Sequence, residues 1–373
     1  MAGTVAFIVL DEEFVASHCG PMFRAAAELR LAVTVIGPIE AHRDLIETER
    51  TRGILLDAGR RRFSPVWAGY AAGQIAAELK GLKPDFVHCV ALRSVLVGGA
   101  ASAMAGIDRR VYSLPSLGHL TGRRGLVGAA SRSSLRVLLA EQLRTERTRF
   151  LFEDGEDARR LRLEPSSVSV VGPGLDPDSL RPSAPPALPP VRVATFLHPS
   201  WPKGPDCVLE AVRLARAQGP EMELSVYGPP SNSRANRKRR PAKINEPSVT
   251  WREAAEDVAS IWGEHHVACL PVRGGEGLPR MLADAASCGR PIVTSDLPGP
   301  RRLVRDGIEG FLVPPDDPAA LAGALLKFVA DPVLVPRMGA AARARVLHGF
   351  TDRDVADHLK RLYADMLGGA ARA

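Results

Sequence analysis

Aromatic side chains are scarce, at 5% of the chain, and none interleaves its most basic segment, so the stacking platforms of single-strand nucleic-acid binders are not expected. The five cysteines, Cys19, Cys89, Cys207, Cys269 and Cys288, are odd in number and form no CxxC pair. That excludes a disulfide framework or a zinc site of that spacing and fits a reducing compartment. No run of about eighteen apolar residues occurs, so no spanning helix is expected and any membrane is met at its surface. The opening MAGTVAFIVLDEEF has no basic lead and meets acids directly after its apolar run, so it reads as a strand, with the cytoplasm as the expected location. No GxGxxG follows VAFIVL, and GxxxxGK[ST], GxSxG and HExxH are missing, which argues against a dinucleotide dehydrogenase, a P-loop enzyme, a serine hydrolase or a zinc protease.

What is present is ordinary globular material: 45% hydrophobic and 24% charged residues over 373 positions supply two cores rather than one. A formal charge of +7 favours anionic partners, among them nucleotides and anionic lipid surfaces. The segment 229–247 concentrates Arg234, Arg237, Lys238, Arg239, Arg240 and Lys243 and reads as a solvated loop, not a nucleic-acid patch.

Short apolar runs alternate with longer amphipathic stretches, the pattern of parallel sheets wrapped by helices. Strands are expected at 5–10, 31–37, 84–90 and 109–114, with helices over 21–31, 66–79 and 94–105. The proline-dense stretch 173–190 has no usable period and is expected to be an extended linker and hinge. Strand and helix alternation then restarts with strands at 191–197, 222–228 and 266–272 and a helix over 206–217. The expected division is 1–172, the linker 173–190, 191–350, and a last helical segment 351–373. Two such α/β domains place a cleft between them.

The segment from Pro271 to Gly299, PVRGGEGLPRMLADAASCGRPIVTSDLPG, carries the chemistry. A strand runs into Gly274, Gly275 and Gly277, and Leu278 and Pro279 open a helix that stops at Gly289. Such a turn lets backbone N–H groups approach a diphosphate, aided by the positive end of the helix. Glu276 and Asp284 supply two acceptors for sugar hydroxyls; equally, Glu276 caps the helix and Asp284 pairs with Arg280 at i, i+4. His18, His88 and His119 follow or end expected strands, where open α/β sheets place ligand sites.

This acidic segment, with IVTSDLPGPRRLVRDGIEGFLVPPDDPAALAGAL (292–325), VTWREAAEDVASIWGEHHVACLPV (249–272) and PKGPDCVLEAVRLA (202–215), resembles the family 4 glycosyltransferases. ASHCGPMFRAAAELRLAVTVIG (16–37), KPDFVHCVALRSVLVGGAASAMAGI (83–107) and SLPSLGHLTGRRG (113–125) extend a looser likeness over the first half. The resemblance implies the α/β GT-B fold, two Rossmann-like domains whose parallel sheets face a central cleft. It implies an N-terminal acceptor domain, a C-terminal donor domain and a final helix crossing back to the first domain.

The implied reaction is retaining, metal-independent transfer from a nucleotide diphosphate sugar, a UDP-sugar, to a glycan or lipid-linked glycan in surface polysaccharide synthesis. No metal or other cofactor is expected. By the same likeness Glu276 contacts the transferred sugar, Asp284 the ribose, and Lys203 the diphosphate. His198 stands where the family often has an arginine, and Asp284 where it has a glutamate. A histidine on the acceptor side, one of His18, His88 and His119, is expected near the reacting carbon. The two departures also suit an inactive, glycosyltransferase-like binding subunit, the alternative reading.

Overall fold

The computed structural model describes residues 3–46, 50–56, 64–115, 117, 125–153, 155–196, 204–219, 221–228, 248–253, 257–273 and 277–368. The chain forms two compact units, one of residues 1–174 and 352–373 and one of residues 175–351.

In the first unit the strands are β1 (Thr4–Val9), β2 (Ala32–Gly37), β3 (Thr51–Leu55), β4 (Phe86–Val90), β5 (Arg110–Leu114), β6 (Thr148–Phe152) and β7 (Val168–Val170). They form one seven-stranded sheet in the order β3-β2-β1-β4-β5-β6-β7, parallel throughout. β4 and β5 are buried along their whole length because both faces are covered. On one face Ala6 and Ile8 pack with α2 (Pro65–Leu82) and α3 (Leu92–Met104). On the other, Val5, Phe7 and Val9 pack with α1 (Glu13–Glu28) and with the last helix of the unit, Asp352–Met366.

α1 begins eight residues before Pro21, the position from which a helix is expected on sequence, and runs through it. A proline inside a helix leaves the carbonyl four residues earlier without its N–H donor. Burial of Val15, Cys19, Met22, Ala25 and Ala26 on the sheet outweighs that local loss. The helix Gly125–Arg136, α4, passes into a wider π-helical turn at Val137–Gln142 before β6.

The second unit has a six-stranded parallel sheet in the order β10-β9-β8-β11-β12-β13. Its strands are β8 (Val191–Phe196), β9 (Met222–Gly228), β10 (Val249–Glu253), β11 (Val267–Leu270), β12 (Ile292–Ser295) and β13 (Gly310–Val313). Its helices include α5 (Arg280–Ser287) and α6 (Leu334–Leu347). These two meet at Gly339, where a Cβ would lie 2.1 Å from the Gly289 carbonyl oxygen, so only glycine permits this approach.

Of the stretch 173–190, expected to be an extended linker and hinge, residues 175–190 group with the second unit. Leu175 is fully buried, and its N–H donates to the Phe350 carbonyl at 2.9 Å. Prolines donate no N–H, but the carbonyls of the stretch remain acceptors. The buried Arg290 donates to the Ser183 carbonyl (2.9 Å) and Ser183 Oγ (2.8 Å), and Arg343 donates to the Leu180 carbonyl (2.8 Å). His266 Nε2 sits 3.0 Å from the Pro186 carbonyl. Side chains far along the sequence thus dock a segment that has no ladder of its own.

No single helix among the described residues is long and apolar enough to cross a membrane.

Candidate functional site

In the second unit the carboxyl ends of β11 and β12 are locked together. Thr294 Oγ1 donates to the Leu270 carbonyl at 2.7 Å, and the Val272 N–H donates to Ser295 Oγ at 3.0 Å. The chain leaves the sheet through Pro271 and Val272, both buried, and Arg273 pairs with Asp316. Among the described residues that follow, Leu278 is buried and Pro279 is extended (φ −60°, ψ 124°) immediately before α5. A proline at that position offers no side-chain oxygen to the first N–H groups of the helix.

Asp284 lies one turn into α5 and is 5% exposed. Its Oδ1 is 3.8 Å from Arg280 Nε, the i, i+4 pair that the spacing allows. Burial pushes the carboxyl up to about 6, and the Arg280 charge pulls the other way without cancelling it. A carboxyl held near neutrality can accept or share a hydroxyl proton. The structure brings Gly277, Leu278, Pro279 and Asp284 into one turn and helix. Lys203, His198, Gly275 and Glu276 lie outside the described residues, as does the basic segment 229–247.

In the first unit His18 lies on α1. Its Nδ1 is 2.7 Å from Ser17 Oγ and its Nε2 is 3.3 Å from Glu153 Oε1. It lines a small cavity with Met22, Ser113, Pro115, Glu153 and Gly172, at the carboxyl ends of β5 and β6. An imidazole with a carboxylate on one nitrogen is an arrangement that orients a hydroxyl group.

His88 is placed differently from the sequence expectation of an acceptor contact. It is wholly buried, with Nδ1 2.7 Å from Tyr363 Oη and Nε2 2.7 Å from Ser113 Oγ. Burial depresses the ring to about 3, so it stays neutral and serves the packing of β4 against β5 and the last helix. His119 lies outside the described residues.

Three polar groups at the carboxyl edge were not singled out from the sequence. Glu153 follows β6 directly, and Asp11 pairs with Arg93 at 3.2 Å just beyond β1 and β4. The Arg93 guanidinium also lies 4.1 Å from the Trp67 ring centre. A charged residue immediately after an apolar strand was the available signal. The turn carrying Arg93 starts at Ala91, whose φ of 71° is disfavoured for a residue with a Cβ. Its N–H is held by the Ser113 carbonyl at 2.9 Å.

Comparison with known proteins bears on both units. The family model described as Glycosyl transferases group 1 matches residues 191–331. A phosphatidyl-myo-inositol mannosyltransferase of Mycobacterium tuberculosis is 31% identical over 176 residues, covering 46% of each chain. The chain spans less than two thirds of the length of the curated relatives it matches first. Among solved structures, a sucrose-phosphate synthase of Thermosynechococcus elongatus superposes with a TM-score of 0.77 at 18% identity, over 99% of this chain and 100% of that one. The Anabaena HepE protein in complex with UDP-glucose superposes with a TM-score of 0.74 at 16% identity, over 97% and 99%. The two parallel-sheet units thus share the fold of these solved structures, and the second carries the segment that matches the group 1 glycosyl transferase model.

Proposed function

We propose that the chain transfers a sugar from a nucleotide diphosphate sugar, a UDP-sugar, to a glycan or lipid-linked glycan acceptor, with retention at the anomeric carbon, as a family 4 enzyme of surface polysaccharide synthesis. The observation that carries this reading is the Gly277–Pro279 turn opening α5 with the buried Asp284 behind it. The HepE neighbour holding UDP-glucose supports the uridine donor.

In this reading the second unit binds the donor. Glu276 accepts from the sugar hydroxyls, Asp284 from the ribose, and Lys203, with His198, neutralises the diphosphate together with the start of α5. The first unit binds the acceptor, with His18 or His119 orienting its hydroxyl. The acceptor oxygen forms its bond to the anomeric carbon as the bond from that carbon to the β-phosphate oxygen breaks. The electron pair leaves with the diphosphate, and a phosphate oxygen takes the hydroxyl proton, so neither a protein base nor a metal is required. Charge grows on the leaving group as the bond breaks, so a fixed cation there lowers the barrier rather than merely tightening binding. The working location is the cytoplasm, at the inner face of the cell membrane.

The test is calorimetric titration with UDP and GDP, followed by transfer assays on variants. UDP is expected to bind. Lys203→Ala is expected to lower turnover about 10²-fold, roughly 3 kcal/mol, and Glu276→Ala to abolish transfer with the fold intact. Binding of neither nucleotide would reduce the chain to a glycosyltransferase-like binding subunit. Full activity of Glu276→Ala would move the donor elsewhere.

A further inference from the structure

Asp157 is 1% exposed, and no step of the transfer described above uses it. It sits on the short helix Gly155–Arg160 that follows β6, and its Oδ2 accepts from the Leu117 N–H at 2.9 Å, across 40 residues of sequence. A carboxyl is a costly group to bury, and an aliphatic side chain would fill the same volume. What the carboxyl supplies is an acceptor for a backbone donor beyond the end of β5. Leu117 is itself wholly buried, in the core cluster that also holds Leu135 and Leu139, so its N–H needs a partner from the protein.

The bond joins two chain segments at the carboxyl edge of the sheet. β5 and β6 pair as far as their last residues, Leu114 opposite Phe152. Past that pair, Pro115 and Glu153 both line the cavity that His18 lines. Glu153 and Asp157 therefore hold two different elements from one short stretch of sequence. Glu153 Oε1 lies 3.3 Å from His18 Nε2 on α1, and Asp157 holds the chain leaving β5. Pro115, a wall of the cavity, comes two residues before Leu117, and His119 comes two residues after it in the sequence. A single bond in the middle of a loop fixes where the neighbouring side chains are presented, and transfer chemistry is sensitive to misplacement on the order of 1 Å.

We propose that Asp157 is a positioning residue of the acceptor side, holding the chain that leaves β5 at Leu117 so that it is set against the His18–Glu153 pair. The inference rests on the proposed role of His18 or His119 in orienting the acceptor hydroxyl and deepens it. Asp157 acts through the backbone and touches no substrate.

The experiment is NMR of the full chain, isotope-labelled at histidine Cε1, in the wild type, Asp157→Ala and Asp157→Asn, with signals assigned by glutamine substitution of single histidines. Asp157→Ala is expected to shift or broaden the His18 and His119 signals. Those of His265 and His266 in the second unit, and of His88, which is tied to Ser113 within β5, are expected to stay in place. The melting temperature is expected to fall by no more than about 5 °C. Trypsin cleavage after Arg123 or Arg124 should quicken by about tenfold in the same variant. Asp157→Asn keeps an oxygen for the Leu117 N–H, and is expected to restore both signals and the slow cleavage.

Unmoved His18 and His119 signals in Asp157→Ala overturn the inference. So does movement of His88 along with them, or a variant that no longer folds, since the carboxyl then serves the core of the unit. Failure of Asp157→Asn to restore the signals overturns it as well, because the charge and not the acceptor oxygen is then what matters. UDP titrated into the same samples reads the donor site separately. UDP binding with unmoved signals removes the role of Asp157 alone; moved signals without UDP binding remove the transfer reading and leave Asp157 as the anchor of the chain leaving β5.

Discussion

His88 in the first unit and Asp284 in the second are both buried titratable groups, and they are held in opposite ways. The imidazole has a hydroxyl on each nitrogen and packs 5.2 Å from the Phe7 ring, centre to centre. Its neutral form is fully satisfied, and burial costs little beyond the refused proton. The carboxyl has a guanidinium only at 3.8 Å, and it sits behind a turn whose helix begins without a side-chain cap. One group is buried because its surroundings complete it. The other is buried with one loose ion pair, in the segment proposed to hold the nucleotide. Such a difference separates a core residue from a site residue better than residue type does.

The largest test of this contrast is His88→Ala, which removes a ring from between β4 and the last helix and leaves the Tyr363 and Ser113 hydroxyls without it. A loss of about 3–5 kcal/mol in denaturant unfolding is expected, with UDP affinity retained by the chain that remains folded. The pH dependence gives the sign. The folded ring titrates at about 3 against 6.5 ordinarily, so the unfolded chain takes up a proton that the folded one refuses. Stability is therefore full above about pH 6.5 and falls as the pH drops toward 3, by about 2 kcal/mol at pH 5. His88→Ala is expected to lack that slope, and an unchanged slope would show that the ring is not the group responsible.

Asp284→Asn should move stability the other way. The folded carboxyl titrates at about 6 against 3.8, so the folded chain holds its proton more tightly than the unfolded one. Stability is lost as the pH rises from about 4 to 6, a penalty approaching 3 kcal/mol above that range. The amide carries no such charge, so the variant should melt higher at pH 8 while binding UDP about tenfold more weakly by calorimetry. A variant both more stable and equally tight would make Asp284 a buried helix residue like His88 in kind.

The smallest effect is expected at His18→Ala. His18 and Glu153 keep 20% and 17% of their side-chain surface exposed, so losing the pair should cost less than about 1 kcal/mol. Acceptor KM or turnover should change while UDP affinity does not. A loss of stability as large as that of His88→Ala would place His18 with the core instead.

The contrast also shows what was legible in the sequence. Strands buried on both faces announce themselves as apolar runs, so β1, β2, β4 and β5 could be read directly from VAFIVL, LAVTVIG, PDFVHCV and RRVYSL. Of the glycine turn expected before Pro279, Gly274 and Gly275 lie outside the described residues. Partners distant in sequence were not legible. Nothing near His88 names Tyr363, and nothing near the prolines of 175–190 names Arg290 or Arg343. Pro21 misled because helix propensity is a local cost, whereas the sheet face that outweighs it is assembled from the whole unit.

The second unit enters and leaves the chain side by side. Leu175 bridges to Thr351 in parallel, and the first unit is built from the two stretches of chain that flank that pair. Topologically it is a cassette set into a host. A segment with adjoining ends, whose proline-rich lead is stapled to its own body, can be exchanged for another in a single recombination event without resequencing the host. Chimaeras joined at 174/175 and 351/352 are the natural way to test whether the two units carry donor and acceptor choice separately, as proposed.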